Sequence, residues 1–202
     1  MHALSDYIRY YDNALPADFC KRMVDAFEQM RDAHVVNGQG VRAGLEKSRW
    51  TELNMSRYAD DAMKGFFFDQ IERALDRYNQ ELGLGLPIPG SQVISELVIK
   101  RYAMGGTEGF QPHFDSMYDK ANRYLVLLWY LNDVREGGAT RFTDLDIEVQ
   151  ARAGRLLIFP PYWMYQHAGL PPISNDKYIV STYLLFENHP ALDATPSRML
   201  RA

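Results

Sequence analysis

Hydrophobic positions recur with a helical period in the first half of the chain and in short, tightly bounded runs in the second. Phe19, Met23, Phe27 and Met30 follow one another at three- and four-residue spacing, with Lys21, Arg22, Asp25 and Glu28 between them and Pro16 just ahead. This predicts an amphipathic helix starting near Pro16, because proline's fixed φ and missing amide suit a first turn. Phe67, Ile71, Leu75, Tyr78 and Leu82 repeat the pattern, and Gly83 and Gly85, followed by Pro87, Pro89 and Gly90, close it. Between the two helices Gly38, Gly40 and Gly44 break the periodicity. The polar stretch after them, with Arg49, Trp50 and Glu52, reads as a loop or an irregular strand.

From Gln92 onward the runs are Val93 to Tyr102, Tyr124 to Leu131, Leu156 to Phe159 and Tyr178 to Phe186, separated by turn residues. Such runs with no helical pattern between them exclude a parallel βαβ sheet and predict a sandwich, jelly roll or barrel. The class expected is mainly β with flanking helices that pack on one face of a sheet. Gly137 and Gly138 suit a tight turn before Ala139-Thr140, and Gly154 opens the strand through Leu156, so these are scaffold positions.

Composition changes this picture little. The 202 residues, 47% hydrophobic and 24% charged, are those of an ordinary globular protein able to bury a core without staples. A net charge of -4 gives no overall attraction to nucleic acid or anionic lipid, so neither is an expected partner. Cys20 is the only cysteine, which excludes an internal disulfide and leaves it as a small buried hydrophobe. Residues 1–18 have no apolar leader, and no apolar span is long enough for a membrane, so a cytoplasmic protein is expected.

The candidate chemistry lies in the β half. His113 and Asp115 stand two apart in Gln111-Pro112-His113-Phe114-Asp115, a spacing that turns both side chains to one face of a strand. His167, in Tyr165-Gln166-His167-Ala168-Gly169, is the available third ligand. Two histidines and one carboxylate make a facial triad that leaves adjacent coordination positions open, as non-haem iron(II) oxygenase chemistry requires, whereas a structural zinc site leaves none. His2 and His189 near the termini, and His34 beside the glycines, are expected to be surface histidines. Lys177 stands ten residues after His167 at the head of an apolar strand. A lysine turned inward there needs an anion, and the distal carboxylate of a 2-oxo diacid is a suitable one.

Four blocks, His113-Phe114-Asp115, Glu136-Gly137-Gly138-Ala139-Thr140, His167-Ala168-Gly169 and Lys177-Tyr178, stand in the order and spacing of one family. On them, over about Val93 to Phe186, the chain resembles the prolyl 4-hydroxylase branch of the Fe(II)/2-oxoglutarate-dependent dioxygenases. The resemblance implies a double-stranded β-helix (jelly roll, cupin-like) with N-terminal helices on its major sheet. It implies one domain over 1–202: helical support and a substrate loop in 1–90, the catalytic core in 91–187 and a tail in 188–202. It implies Fe(II) on His113, Asp115 and His167, 2-oxoglutarate anchored by Lys177, O2, and ascorbate as an optional addition.

Tyr102 and Tyr130 match family positions beside the co-substrate. Tyr183, on the same strand face as Lys177, could wall the pocket near the metal, with core packing as the favoured account. Hydroxylation of an unactivated C–H bond follows, with succinate and CO2 as co-products; the retained Asp115 fills the place that related halogenases vacate for halide. A prolyl residue in a peptide or protein is the leading acceptor and a free amino acid or small metabolite the next. A cupin-like metal-binding module without oxygenase activity is the reading of another class, and it has no need of Lys177. Two departures bear on the acceptor. Phe110 stands where many relatives have a tyrosine, and Ser48-Arg49-Trp50-Thr51 does not reproduce the family's peptide-binding arginine motif. The segment 38–56 is therefore expected to decide much of the acceptor's identity, and the oligomeric state is open.

Overall fold

The computed structural model describes residues 2–41, 43–91 and 93–187; His189 and the 188–202 tail lie outside them. Helix α1 runs over Ala17–Gln29 and buries Cys20, Met23 and Phe27, with Pro16 as its N-cap. Helix α2, Asp61–Leu82, begins six residues before the first apolar position that marked it in the sequence, because the Asp60 carboxylate caps the Met63 amide at 2.8 Å. It ends as expected on Gly83 in the left-handed conformation.

The strands are β1 (Arg9–Tyr11), β2 (Val35–Gly38), β3 (Arg49–Asn54), β4 (Val98–Tyr102), β5 (Phe110–His113), β6 (Arg123–Tyr130), β7 (Thr140–Phe142), β8 (Ile147–Val149), β9 (Leu156–Phe159), β10 (His167–Gly169) and β11 (Lys177–Leu185). They form a seven-stranded sheet in the order β1-β9-β6-β11-β4-β3-β2 and a four-stranded sheet in the order β5-β10-β7-β8. Every pairing is antiparallel. From β4 onward the chain crosses from one sheet to the other and back, which is jelly-roll winding. Of the two alternatives for the stretch after the glycines, residues 49–54 take the strand, and a regularly paired one: Leu53 faces Ile99 in register, and Trp50, Thr51 and Leu53 are buried. Strand β1, not marked by any run in the sequence, pairs with β9 and is tied down by Arg155, whose guanidinium donates to Asp12 at 2.6 and 3.0 Å.

The major sheet is buried on both faces. On β6, Leu125, Leu127 and Trp129, with Leu131 just beyond its end, pack with Phe27, Phe67, Ile71 and Tyr78 of the helices. Val126, Leu128 and Tyr130 turn the other way, toward Phe142 and Val149 of the minor sheet. Burial on both faces explains why the run from Tyr124 to Leu131 is apolar throughout. At one end of this interior, where β4 and β11 lie opposite β5 and β10, polar side chains replace apolar ones around a cavity of ≈ 510 Å3.

Candidate metal centre and co-substrate cavity

Strands β5 and β10 pair with His113 directly opposite His167, which brings the two rings to a centroid separation of 4.3 Å. Strand β5 ends at His113, and Asp115 lies in the bend beyond it rather than on the strand, its amide held by the Pro161 carbonyl at 2.9 Å. The carboxylate still meets both rings: Oδ1 is 3.6 Å from His113 Nε2 and Oδ2 is 3.5 Å from His167 Nε2. One ligand atom from each residue falls within 4.8 Å of the others.

Both imidazoles are oriented from behind. His113 Nδ1 lies 2.8 Å from the Gln111 carbonyl and His167 Nδ1 lies 3.1 Å from that of Tyr165. A carbonyl only accepts, so each Nδ1 carries the proton and each Nε2 offers its lone pair toward Asp115, the arrangement in which metal-binding histidines are held. Burial, with His113 adding to it, pushes His167 down to about 4, so the ring is neutral at neutral pH. Burial acts to raise the Asp115 carboxyl, yet the neighbouring His167, His113 and Arg123 outweigh it and hold the group well below the usual carboxylate range. Asp115 Oδ2 is buried and makes no hydrogen bond. An unsatisfied buried acceptor costs about 1–3 kcal/mol, more when charged. A divalent cation at the meeting point of this oxygen and two imidazole lone pairs would remove that cost, so the donor set fits Fe(II).

Lys177 opens β11 opposite Tyr102 of β4 and is 1% exposed. Its ammonium lies 5.4 Å from the Tyr102 ring and 5.5 Å from the Tyr130 ring, and it forms no ion pair with a described residue. Burial pushes it down to about 7. Tyr102 lines the cavity with Lys177, and burial raises its phenol well above the usual value. Tyr130 sits apart from these two in its bonding: its hydroxyl donates to Thr140 Oγ1 at 2.7 Å, deeper between the sheets.

Three residues of the cavity wall, Arg123, Glu52 and Lys100, were given no role in the sequence, and the partner of a fourth, Tyr183, was not foreseen. Tyr183, read there as core packing, donates its hydroxyl to Asp115 Oδ1 at 2.9 Å. Arg123 lies 3.7 Å over the Tyr183 ring and donates to the Asp115 carbonyl at 3.3 Å. Glu52 accepts from Trp50 Nε1 at 2.6 Å and Asn37 Nδ2 at 3.2 Å, and Lys100 pairs with Glu52 in register across β3 and β4. The alternation of β11 is the signal for Tyr183, since Lys177, Ile179, Ser181 and Tyr183 share one face. Phe110 stacks on His113 at 3.9 Å and on Trp50 at 4.7 Å, so the departure from tyrosine there makes an apolar panel that reaches the candidate metal site. Of the remaining histidines, His2 is exposed. His34, expected at the surface, is half-buried because its ring stacks on Phe27 at 4.0 Å and its Nε2 meets the Phe27 carbonyl at 2.8 Å.

Residues 97–185, which contain all three candidate ligands and Lys177, match the model of the 2OG-Fe(II) oxygenase superfamily. Over those residues the chain is similar to that superfamily. The chain is also similar to prolyl 4-hydroxylase subunit alpha-1 of Gallus gallus, 27% identical over 106 residues, which cover 44% of this chain and 20% of that protein. The chain thus aligns with about a fifth of that relative's length.

Two solved structures share the oxygenase fold. One is a viral collagen prolyl hydroxylase of Paramecium bursaria Chlorella virus-1 in complex with 2OG: TM-score 0.60, 18% identity, covering 90% of this chain and 97% of that one. The other is a prolyl hydroxylase of Trichoplax adhaerens in complex with a hypoxia inducible factor peptide fragment: TM-score 0.67, 16% identity, covering 95% and 89%. The two-sheet core with its two flanking helices is therefore the double-stranded β-helix of 2-oxoglutarate oxygenases, and the superfamily's cofactors, Fe(II) and 2-oxoglutarate, are those the donor set fits. Among the described residues no helix is long and apolar enough to cross a membrane.

Proposed function

We propose that the chain is an Fe(II)- and 2-oxoglutarate-dependent dioxygenase that hydroxylates an unactivated C–H bond, with a prolyl residue of a peptide or protein as the acceptor. His113, Asp115 and His167 hold the metal, and Lys177 receives the distal carboxylate of 2-oxoglutarate. The iron, when bound, supplies the chemistry that splits O2 between 2-oxoglutarate and acceptor: 2-oxoglutarate, O2 and R–H give succinate, CO2 and R–OH. The protein's own residues position and exclude. The Nε2 atoms of the two imidazoles offer lone pairs, Asp115 offers a fixed charge, and the apolar panel of Phe110 and Trp50 walls the reacting space from water.

The observation that carries this reading is Lys177. A buried ammonium without a counterion, in the same cavity as a two-histidine, one-carboxylate cluster, is a costly arrangement that a dicarboxylate co-substrate relieves. A metal-binding module without oxygenase activity gives no reason for it. The prolyl acceptor is supported by the relatives' names, one of them in complex with a peptide fragment, and by the aromatic panel, on which a saturated ring packs well. The test is acceptor-dependent succinate release, with proline-containing peptides set against free amino acids and the product examined by mass for one added oxygen. Stimulation by peptides is expected. Stimulation by free amino acids alone moves the acceptor to a small metabolite, and none by either class removes the hydroxylase reading.

A further inference from the structure

The cavity has two ends, the lysine that meets the co-substrate and the carboxylate that would meet the metal, and a single strand reaches both. Strand β11 carries Lys177 at its head and Tyr183 six residues later on the same face. The two oxygens of Asp115 are not equivalent. Tyr183 donates to Oδ1 at 2.9 Å, whereas Oδ2 is buried with no hydrogen bond. Distances to the histidines do not separate them, being 3.6 Å from Oδ1 to His113 and 3.5 Å from Oδ2 to His167. Only the phenol does.

The phenol is itself braced. The Arg123 guanidinium covers its ring at 3.7 Å and donates to the backbone carbonyl of Asp115, whose amide is held by Pro161. The carboxylate is thus restrained through its backbone on both sides and at one oxygen. A donor on Oδ1 withdraws the lone pair that a second metal bond would use.

We propose that Tyr183, braced by Arg123, is a positioning residue that confines Asp115 to one-oxygen ligation through Oδ2. The consequence is three adjacent coordination positions left for 2-oxoglutarate and O2. A chelating aspartate would take one of them and leave too few for the 2-oxo acid and O2 together. This rests on the metal site proposed above, and the two can fail separately.

The experiment is an anaerobic visible titration of the Fe(II)-loaded full chain with 2-oxoglutarate, wild type beside Tyr183→Phe and Arg123→Gln. Tyr183→Phe keeps the ring and its guanidinium cover and removes only the donor. It is expected to bind iron at the wild-type stoichiometry but about ten-fold or more weakly, as loss of such outer partners does, and to shift the charge-transfer band of the bound 2-oxo acid. Arg123→Gln is expected to change both in the same direction by less. A tyrosine that merely packs would leave the band in place, so wild-type affinity and an unshifted band in Tyr183→Phe overturn the proposal. X-ray absorption on the wild-type Fe(II) protein is an independent readout should that variant not fold: one carboxylate oxygen is expected beside the imidazoles, and a chelating carboxylate overturns the proposal. No band in the wild type despite bound iron would instead overturn the metal and co-substrate reading itself.

Discussion

At the scale of single residues, Lys177 has the clearest consequences. Its ammonium is buried before any co-substrate arrives, so Lys177→Met, which keeps the stem and removes the charge, is expected to stabilise the ligand-free protein by about 1–4 kcal/mol. The same change is expected to weaken 2-oxoglutarate by about a hundred-fold, from the loss of a buried charge pair worth about 2–5 kcal/mol. Urea denaturation of the free protein and calorimetric titration with 2-oxoglutarate measure the two halves; a variant that loses both stability and affinity would show Lys177 to be structural.

Its pH behaviour has a defined sign. The folded lysine titrates near 7 and the unfolded one near 10.5, so between these values the unfolded chain binds more protons and stability of the free protein rises with pH. Below about 7 the full cost of the buried charge is present. A carboxylate ligand selects the protonated form, so its binding takes up a proton and weakens as pH climbs past 7. Titrations in two buffers of different ionisation enthalpy on either side of that pH should show proton uptake on the alkaline side only.

At the scale of elements, the two-faced burial of the major sheet decides where the molecule is fragile. Phe67 of α2 meets Trp129 of β6 edge to face at 5.4 Å and is fully buried. Phe67→Ala is expected to cost about 3–5 kcal/mol, read as a lowered urea midpoint at unchanged slope, while folded protein keeps its affinity for 2-oxoglutarate because the cavity lies on the sheet's other face.

The helices, the long strands and the interior end of β11 were legible in the sequence because periodicity reports burial directly. Strands β1 and β2 were not, being short and at the sheet's two edges, and β3 was legible only as one of two alternatives, since it mixes Arg49, Thr51, Glu52 and Asn54 with its apolar residues because one of its faces borders a polar cavity. The triad was legible from spacing, although Asp115 reaches it from a bend and not from the strand that the spacing suggested. The bond from Tyr183 to Asp115 was hidden because a tyrosine on a buried strand looks alike in sequence whether its hydroxyl meets water, a backbone or a carboxylate. Glu52 and Lys100 become neighbours only through pairing of β3 with β4, which no local pattern announces.

At the scale of the whole molecule, the cavity is built by two sheets with divided tasks: the minor sheet brings the histidines, and the major sheet brings Lys177, Tyr102 and Tyr183. Trp50 and Glu52 of β3 stand at the same cavity from the segment expected to govern the acceptor. Trp50→Ala is expected to raise KM for the acceptor about ten-fold or more with little change in 2-oxoglutarate affinity, as steady-state succinate release would show; equal loss of both would mean that the tryptophan only supports the fold. The most direct measurement of all is the anaerobic addition of 2-oxoglutarate to iron-loaded wild type, His167→Ala and Lys177→Met, followed in the visible region. A charge-transfer band that saturates at one equivalent in the wild type, is lost in His167→Ala and needs far more 2-oxoglutarate in Lys177→Met is the predicted result. A wild-type protein that holds iron yet shows no band, or a band indifferent to Lys177, would contradict it.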